Sequence, residues 1–353
     1  MITRNFLEVG MNTEELVEIV LPGKVEPEGL QIRHGEVPVP GPGQVVVRME
    51  ATGVSFAEQQ MRRGRYYDQP AFPFVPGYDL VGTVQAVGAG VGPGLAGARV
   101  AALTKVGGWA SHVLVDAADV VPVPAGVSAA EAETLVLNGI TAWQMLHRKA
   151  RVRAGQTVVV HGANGGVGSI LVQLAQLAGV KVIGTASARH HDALRERGVR
   201  PVDYRADDVA ARIRELAPGG VDAVFDHVGG RGIVDSWRLL APGGTLVSYG
   251  SASTLDDEGS KRWPVVKLLG RVWSWNALPN RRHAYFYNVL AGRALAKDRF
   301  RTRLRADLTQ VFAALQRGDI TAQVAAELPL ARVADAVRLA ESGTVTGKVV
   351  LTP

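Results

Sequence analysis

The stretch Val158–Ser169, VVVHGANGGVGS, decides the fold; it runs on into ILVQLAQLAG and then KVIGTAS. Three β-branched residues, Val158 to Val160, suit a buried parallel strand. Gly162, Gly165, Gly166 and Gly168 let the backbone turn tightly and approach a ligand closely. A helix from about Val167 then aims its first N–H groups at a pyrophosphate. The spacing is Gly-x-x-Gly-x-x-Gly rather than Gly-x-Gly-x-x-Gly. Such glycines could serve only a structural turn, but the strand–turn–helix–strand context favours a phosphate cradle.

The second strand of this unit bears on which dinucleotide is held. Chains that prefer NAD usually end it with an acid for the ribose 2′-hydroxyl. Here it ends Thr185-Ala186-Ser187-Ala188-Arg189-His190-His191, with no acid before Asp192. A small hydroxyl, an Arg and two His tolerate a 2′-phosphate, so the expected cofactor is NADPH. Arg189 also fits a solvated cation at a helix start.

Working outward, Val17–Val123 is rich in Val, Gly and Pro. Its short runs QVVVRMEATGV, LVGTVQAVG, ARVAAL and ASHVLV predict strands of a compact, barrel-like β domain. From Ser128, a plausible N-cap, SAAEAETLVLNGITAWQML reads as a helix. Strands and helices then alternate through TVVVHG, the glycine helix, KVIGTA, HDALRERG, DYR, VAARIRELA, VDAVFDHVG, IVDSWRLLA and TLVSYG. That alternation predicts an α/β, doubly wound nucleotide-binding domain with a parallel sheet. Two helices, ADLTQVFAALQRG and LARVADAVRLAESG, and a strand, GKVVLTP, close the chain.

With 353 residues and 47% apolar content, the chain is long enough for two domains with sizeable cores. No apolar run is long enough to cross a bilayer, so no membrane partner is expected. The N-terminal residues lack the apolar core of a signal peptide, which points to the cytoplasm. Met11 offers a second start, which would make the first ten residues an extension. The chain has no Cys, and so no Cys-based zinc site. Net charge is +6, and between Lys261 and Arg305 the only acid is Asp298. No nucleic-acid recognition motif accompanies that cluster, so no nucleic-acid partner is expected. The basic segment reads as a solvated face or as a docking surface for an anionic handle, such as CoA or an acidic carrier protein.

From about Val17 to Leu351 the chain resembles the medium-chain dehydrogenase/reductase superfamily, in its zinc-independent quinone oxidoreductase-like branch. The residues that carry this are GVSFAEQQMRRGRYY, FPFVPGYDLVGTVQAVG, LNGITAW, HGANGGVG, VDAVFDHVGG, APGGTLVSYGS and TGKVVL, in that order. The resemblance implies a GroES-like β-barrel domain, residues 1–135 and 299–353, around a Rossmann domain, residues 136–298. It also implies an active site between them and a homodimer joined edge to edge, with Ala284–Leu290 as the edge strand.

Zinc enzymes of the superfamily carry Cys at the position of Ser55, and Gly-His-Glu where this chain has Gly77-Tyr78-Asp79. Ser, Tyr and Asp do not make that site, so no metal is expected. The quinone oxidoreductase pattern has Asn and Asp where this chain has Ser55 and Glu58. Its pocket tyrosine matches Tyr66. Ser55, Tyr66 and Tyr78, with Tyr67, are therefore the candidates for polarising a carbonyl or donating a proton, a phenol near its usual pKa of about 10 being a reasonable acid; packing, with solvent supplying the proton, is the alternative. The resemblance places Asn138 and Thr141 beside the nicotinamide and Gly165, Gly166 and Val167 at the pyrophosphate. Ser187, Arg189 and Tyr204 fall around the 2′-phosphate, and Val228, Gly229, Tyr249, Gly250 and Ser251 at strand ends in the crevice. Lys348 falls in a terminal segment folding toward the nicotinamide. Asp226 fits equally well as a local cap.

The expected function is NADPH-dependent hydride transfer to a small-molecule acceptor, a quinone or an α,β-unsaturated carbonyl. Alternatives are a tailoring enoyl or ketone reductase of polyketide-type metabolism, and a non-catalytic NADPH-binding structural or membrane-associated protein.

Overall fold

The computed structural model describes residues 14–254, 260 and 262–353. The N-terminal stretch with Met11, and Lys261 at the head of the basic segment, lie outside the described residues.

An antiparallel pair, β1 (Glu15–Val20) and β2 (Gln31–Glu36), opens the chain. Then come β3 (Gln44–Val54), α1 (Phe56–Arg62), β4 (Asp79–Val87), β5 (Arg99–Leu103), β6 (His112–Asp116) and β7 (Val120–Pro122). Helix α2 (Ala129–Trp143) starts at the capping box of Ser128 and Glu131, which satisfies N–H groups that a helix leaves unpaired at its start. The alternation follows as β8 (Thr157–His161), α3 (Gly166–Leu177), β9 (Lys181–Ala186), α4 (His191–Glu196), β10 (Arg200–Asp203), α5 (Val209–Leu216), β11 (Val221–Asp226), α6 (Ile233–Arg238) and β12 (Leu240–Ser248). The chain ends with α7 (Trp263–Asn276), β13 (His283–Phe286), α8 (Lys297–Gln316), β14 (Val324–Pro329), α9 (Val333–Glu341) and β15 (Lys348–Thr352).

Six parallel strands form one sheet in the order β10-β9-β8-β11-β12-β13. The order reverses between β8 and β11, so the crevice for a ligand opens at their carboxyl ends. Val158, Val159 and Val160 are fully buried there, as a strand covered on both faces requires. Seven strands form the other large sheet, in the order β14-β15-β3-β4-β5-β7 with β6 also on β3. The chain's end thus returns to its first sheet, β15 lying antiparallel to β3 with Val349 opposite Val54. Helix α8 packs on α2, where a Cβ on Gly139 would sit 2.8 Å from Val311 Cγ1.

Several elements depart from the sequence reading. The strand expected at DYR is Arg200–Asp203, because the Asp203 carboxylate accepts the Arg205 N–H (3.0 Å) and turns the chain. Helix α8 begins at Lys297 rather than Ala306; its buried Phe300, Leu304 and Leu308 are spaced for a helix but interleaved with Arg. The edge strand expected over Ala284–Leu290 stops at Phe286, since Asn288 Oδ1 accepts the Leu290 N–H (2.9 Å). The Asn276 carboxamide also occupies both the N–H and the C=O of Ala284. Helix α7, with Trp263 and Trp273 exposed, was not anticipated. Among the described residues no helix is long and apolar enough to cross a membrane.

Candidate active site

A cleft of about 960 Å³ lies between the two large sheets. Its floor is the glycine turn. Gly162 has φ +66°, a left-handed conformation that favours glycine, and Gly165 caps α3. A Cβ on Gly168 would fall 2.1 Å from the Gly162 carbonyl oxygen, and one on Gly166 would fall 2.6 Å from Asn138 Nδ2. The missing side chains thus bring α3 close against the end of β8 and leave its first N–H groups facing the cleft. Gly347 N–H donates to the Asn164 carbonyl (3.2 Å), tying the turn to the lead-in of β15.

Val167, Val228, Gly229, Tyr249, Gly250, Ser251, Asn138 and Thr141 all line this cleft with Gly165 and Gly166. Asp226 acts as the local cap: Oδ1 accepts from the Val228 and Gly229 N–H groups (2.8 Å each) and Oδ2 from Ser236 (2.6 Å). Two imidazoles that sequence reasoning passed over complete this end. His161 contacts Thr185 Oγ1 (3.1 Å) and Ser236 Oγ (3.2 Å), and the His227 ring lies 5.9 Å from that of Tyr249. Burial lowers both imidazoles, keeping them neutral. HG and DHVGG at strand ends were the signals that could have found them.

Ser187, Arg189 and Tyr204 are not in the cleft lining. They sit at the carboxyl ends of β9 and β10, one and two strands out from β8 in the sheet. Ser187 is buried, Arg189 exposed and Tyr204 about half exposed, with Arg205 over its ring (5.4 Å). Asp192, the first acid after the strand, is paired with Arg195 (2.6 Å).

The opposite wall carries tyrosines. Tyr66 and Tyr78 are buried with their hydroxyls 3.0 Å apart, and Tyr67 stands beside Tyr66 with ring centroids 4.9 Å apart. Burial pushes all three phenols up, so the ordinary phenol pKa expected from sequence does not hold: they are weaker acids, protonated across the working range. Behind them, buried Glu58 accepts from the Tyr78 N–H (2.6 Å), the Ser55 N–H (2.9 Å) and the Ser55 hydroxyl. Burial raises the Glu58 carboxyl. Ser55 lines the cleft, but its proton is committed to Glu58 and its oxygen caps α1. That use competes with the expected role of donating to an acceptor oxygen. The Ser-x-x-Glu spacing of a capping box was the readable sign.

Lys348 is a cleft residue whose charge is used behind the site. It borders the cleft, but its ammonium turns into the core and holds Asp79 (2.8 Å) and Glu133 (2.5 Å). Burial alone would lower its pKa; the two carboxylates raise it above the ordinary range. Asp79 also accepts the Leu137 N–H (2.9 Å), so the cluster locks α2, β4 and β15 together behind the site. A Cβ on Gly53 would fall 2.1 Å from Lys348 Cε, so the lysine reaches its carboxylates across a glycine. Among the described residues no group of three or more His, Asp and Glu could hold a metal ion.

Comparison with known proteins agrees with this geometry. Residues 41–125 match a family described as alcohol dehydrogenase GroES-like domain, and residues 199–351 one described as zinc-binding dehydrogenase. The rat synaptic vesicle membrane protein VAT-1 homolog is 36% identical over 336 residues, 92% of this chain and 80% of that protein. Among solved structures, mycobacterial Rv1454c complexed with NADPH has a TM-score of 0.80 at 30% identity, covering 96% of this chain and 100% of that one. A Pseudomonas syringae pv. Tomato quinone oxidoreductase has a TM-score of 0.82 at 28% identity, covering 96% and 100%. The chain belongs to the medium-chain dehydrogenase/reductase superfamily of oxidoreductases, in its quinone oxidoreductase-like branch.

Proposed function

We propose that this chain is an NADPH-dependent reductase that passes hydride to a quinone or an α,β-unsaturated carbonyl without a metal. The observation that carries this reading is the cleft itself: a glycine cradle at one end, buried protonated tyrosines at the other, and no Asp or Glu among the described residues that line it. A site without a carboxylate base is poorly made to take a proton from an alcohol, and well made to stabilise charge gathering on an acceptor oxygen.

The cradle fits a dinucleotide. The α3 N–H groups would hold the pyrophosphate, Asn138 and Thr141 would flank the nicotinamide, and Ser187 and Arg189 would meet the 2′-phosphate. When bound, NADPH supplies the hydride. The residues of the chain do the rest. The Tyr66–Tyr78 pair, with one proton held in its mutual bond, would donate the other to the acceptor oxygen through Tyr78, Glu58 fixes Tyr78 through its backbone, and the apolar lining limits water. Conjugation in the acceptor spreads the developing charge, so neutral donors suffice. Ser55 and Asp79 are committed to a cap and to a buried ion cluster, so turnover should survive chelation; activity lost to a chelator and restored by zinc would overturn the metal-free reading.

A panel of acceptors tests the proposal. A naphthoquinone and a cyclic enone should drive NADPH consumption, while a saturated ketone and a primary alcohol should not be processed. Preference for the last two would refute it. NADPH binding without turnover of any acceptor would favour a binding protein.

A further inference from the structure

The tyrosines form a series rather than a pair. Tyr78 lies deepest, hydroxyl to hydroxyl with Tyr66 at 3.0 Å. Tyr67 stands beside Tyr66 with ring centroids 4.9 Å apart and interacts with it and with the Asn288 side chain, which lines the same cleft. Exposure rises along it, from 3% at Tyr78 and 5% at Tyr66 to a half-buried Tyr67, and exposed Asp68 follows. All four members line the cleft. Either of Tyr66 and Tyr78 can be the donor. Asn288 can both donate and accept, so the series is satisfied with its protons pointing either way. Reversible order is what a proton relay requires.

We propose that Tyr67, Tyr66 and Tyr78 relay a proton from solvent to the reduced acceptor, with Tyr67 as the solvent-side member and Asn288 as its anchor. This rests on the reductase reading above. After hydride arrives, the acceptor is an enolate or hydroquinone anion. The Tyr78 O–H bond breaks as a C–H or O–H bond forms on that anion. Tyr78 takes the Tyr66 proton, Tyr66 takes the Tyr67 proton, and Tyr67 takes one from bulk water. One proton is consumed and no phenolate persists, which suits phenols held above their usual pKa by burial. Tyr67 acts through Tyr66 and is a relay residue.

Tyr67→Phe removes one oxygen and cuts the solvent end. With a cyclic enone, kcat should fall about tenfold, at the low end of general-acid contributions, while the NADPH dissociation constant stays the same. A proton inventory in mixed light and heavy water should change from curved to linear. Tyr285→Phe, on a tyrosine outside the cleft lining, should change neither. In protein without cofactor, exchange of the Tyr66 and Tyr78 hydroxyl protons, followed by NMR, should slow severalfold in Tyr67→Phe. Wild-type kcat and a curved inventory in Tyr67→Phe would overturn the relay, as would unchanged hydroxyl exchange. A wild-type protein inert toward every acceptor would instead sink the reductase reading, and the exchange measurement would still decide the relay.

Discussion

The two ends of the cleft are built from different materials. The cofactor end is backbone: Gly162 to Gly168 works because side chains are missing, and one contiguous run specifies it. The acceptor end is side chain: Glu58, Tyr66 and Tyr78 come from a helix, a loop and the residue before a strand. Tertiary packing alone brings them together. A backbone site tolerates little substitution but announces itself in sequence. A side-chain site can be retuned residue by residue, and for the same reason is hard to read in advance.

Behind both ends lies the Asp79–Glu133–Lys348 cluster, so breaking it should have the largest effect. Lys348→Met leaves two carboxylates in the core without their cation, which costs about 3–5 kcal/mol. Denaturant unfolding should show this loss; a stability within about 0.5 kcal/mol of wild type would mean that the cluster is solvated.

At the cofactor end, Gly168→Ala would force a Cβ against the Gly162 carbonyl, a backbone atom that cannot step aside. Overpacking of this kind costs about 1–3 kcal/mol, and NADPH affinity should fall with it. Gly219→Ala, with nothing within 4 Å of the added atom, is the matched control for crowding. Equal NADPH affinity in the two variants would remove the close-packing argument.

Farther along the same end, Arg189 is exposed beside a strand end that has no acid. A charge-assisted contact to phosphate is worth about 1.5–3 kcal/mol, so NADPH should bind at least about tenfold more tightly than NADH. Arg189→Ala should erase most of that preference in a fluorescence titration. An unchanged preference would shift the recognition to Ser187 or Tyr204.

At the acceptor end, Tyr66→Phe should lower kcat by about tenfold and leave the cofactor dissociation constant alone, because the two ends share no side chain. The pH dependence sharpens the contrast. An ordinary phenol is half ionised at about pH 10. Burial raises the Tyr66 and Tyr78 phenols, so the protonated donors persist to higher pH and kcat should not decline on their account between about pH 8 and about pH 10. A fall in kcat with an apparent pKa near 9 to 10 that disappears in Tyr66→Phe would show an unshifted phenol.

The alternation from β8 to β12 was legible because buried parallel strands and amphipathic helices have distinct periods. Helix α7 was not, because its large apolar residues Trp263, Val266, Leu269 and Trp273 face outward, against the usual rule. The glycine cradle was legible from its glycines taken together with the strand–turn–helix–strand context. For Lys348, sequence shows a lysine at a strand start but not the two buried acids, Asp79 and Glu133, that draw its ammonium inward. Ser55 was read for its chemistry, when the Glu three residues on had already assigned its hydroxyl to a cap.

The most direct test follows the hydride itself. NADPH carrying deuterium on the transferable C4 position is mixed with enzyme and a cyclic enone, and the product is analysed by NMR. The account predicts a saturated ketone with deuterium on the carbon β to the carbonyl. Deuterium on the carbonyl carbon of an allylic alcohol, or NADPH bound but never consumed, would contradict it.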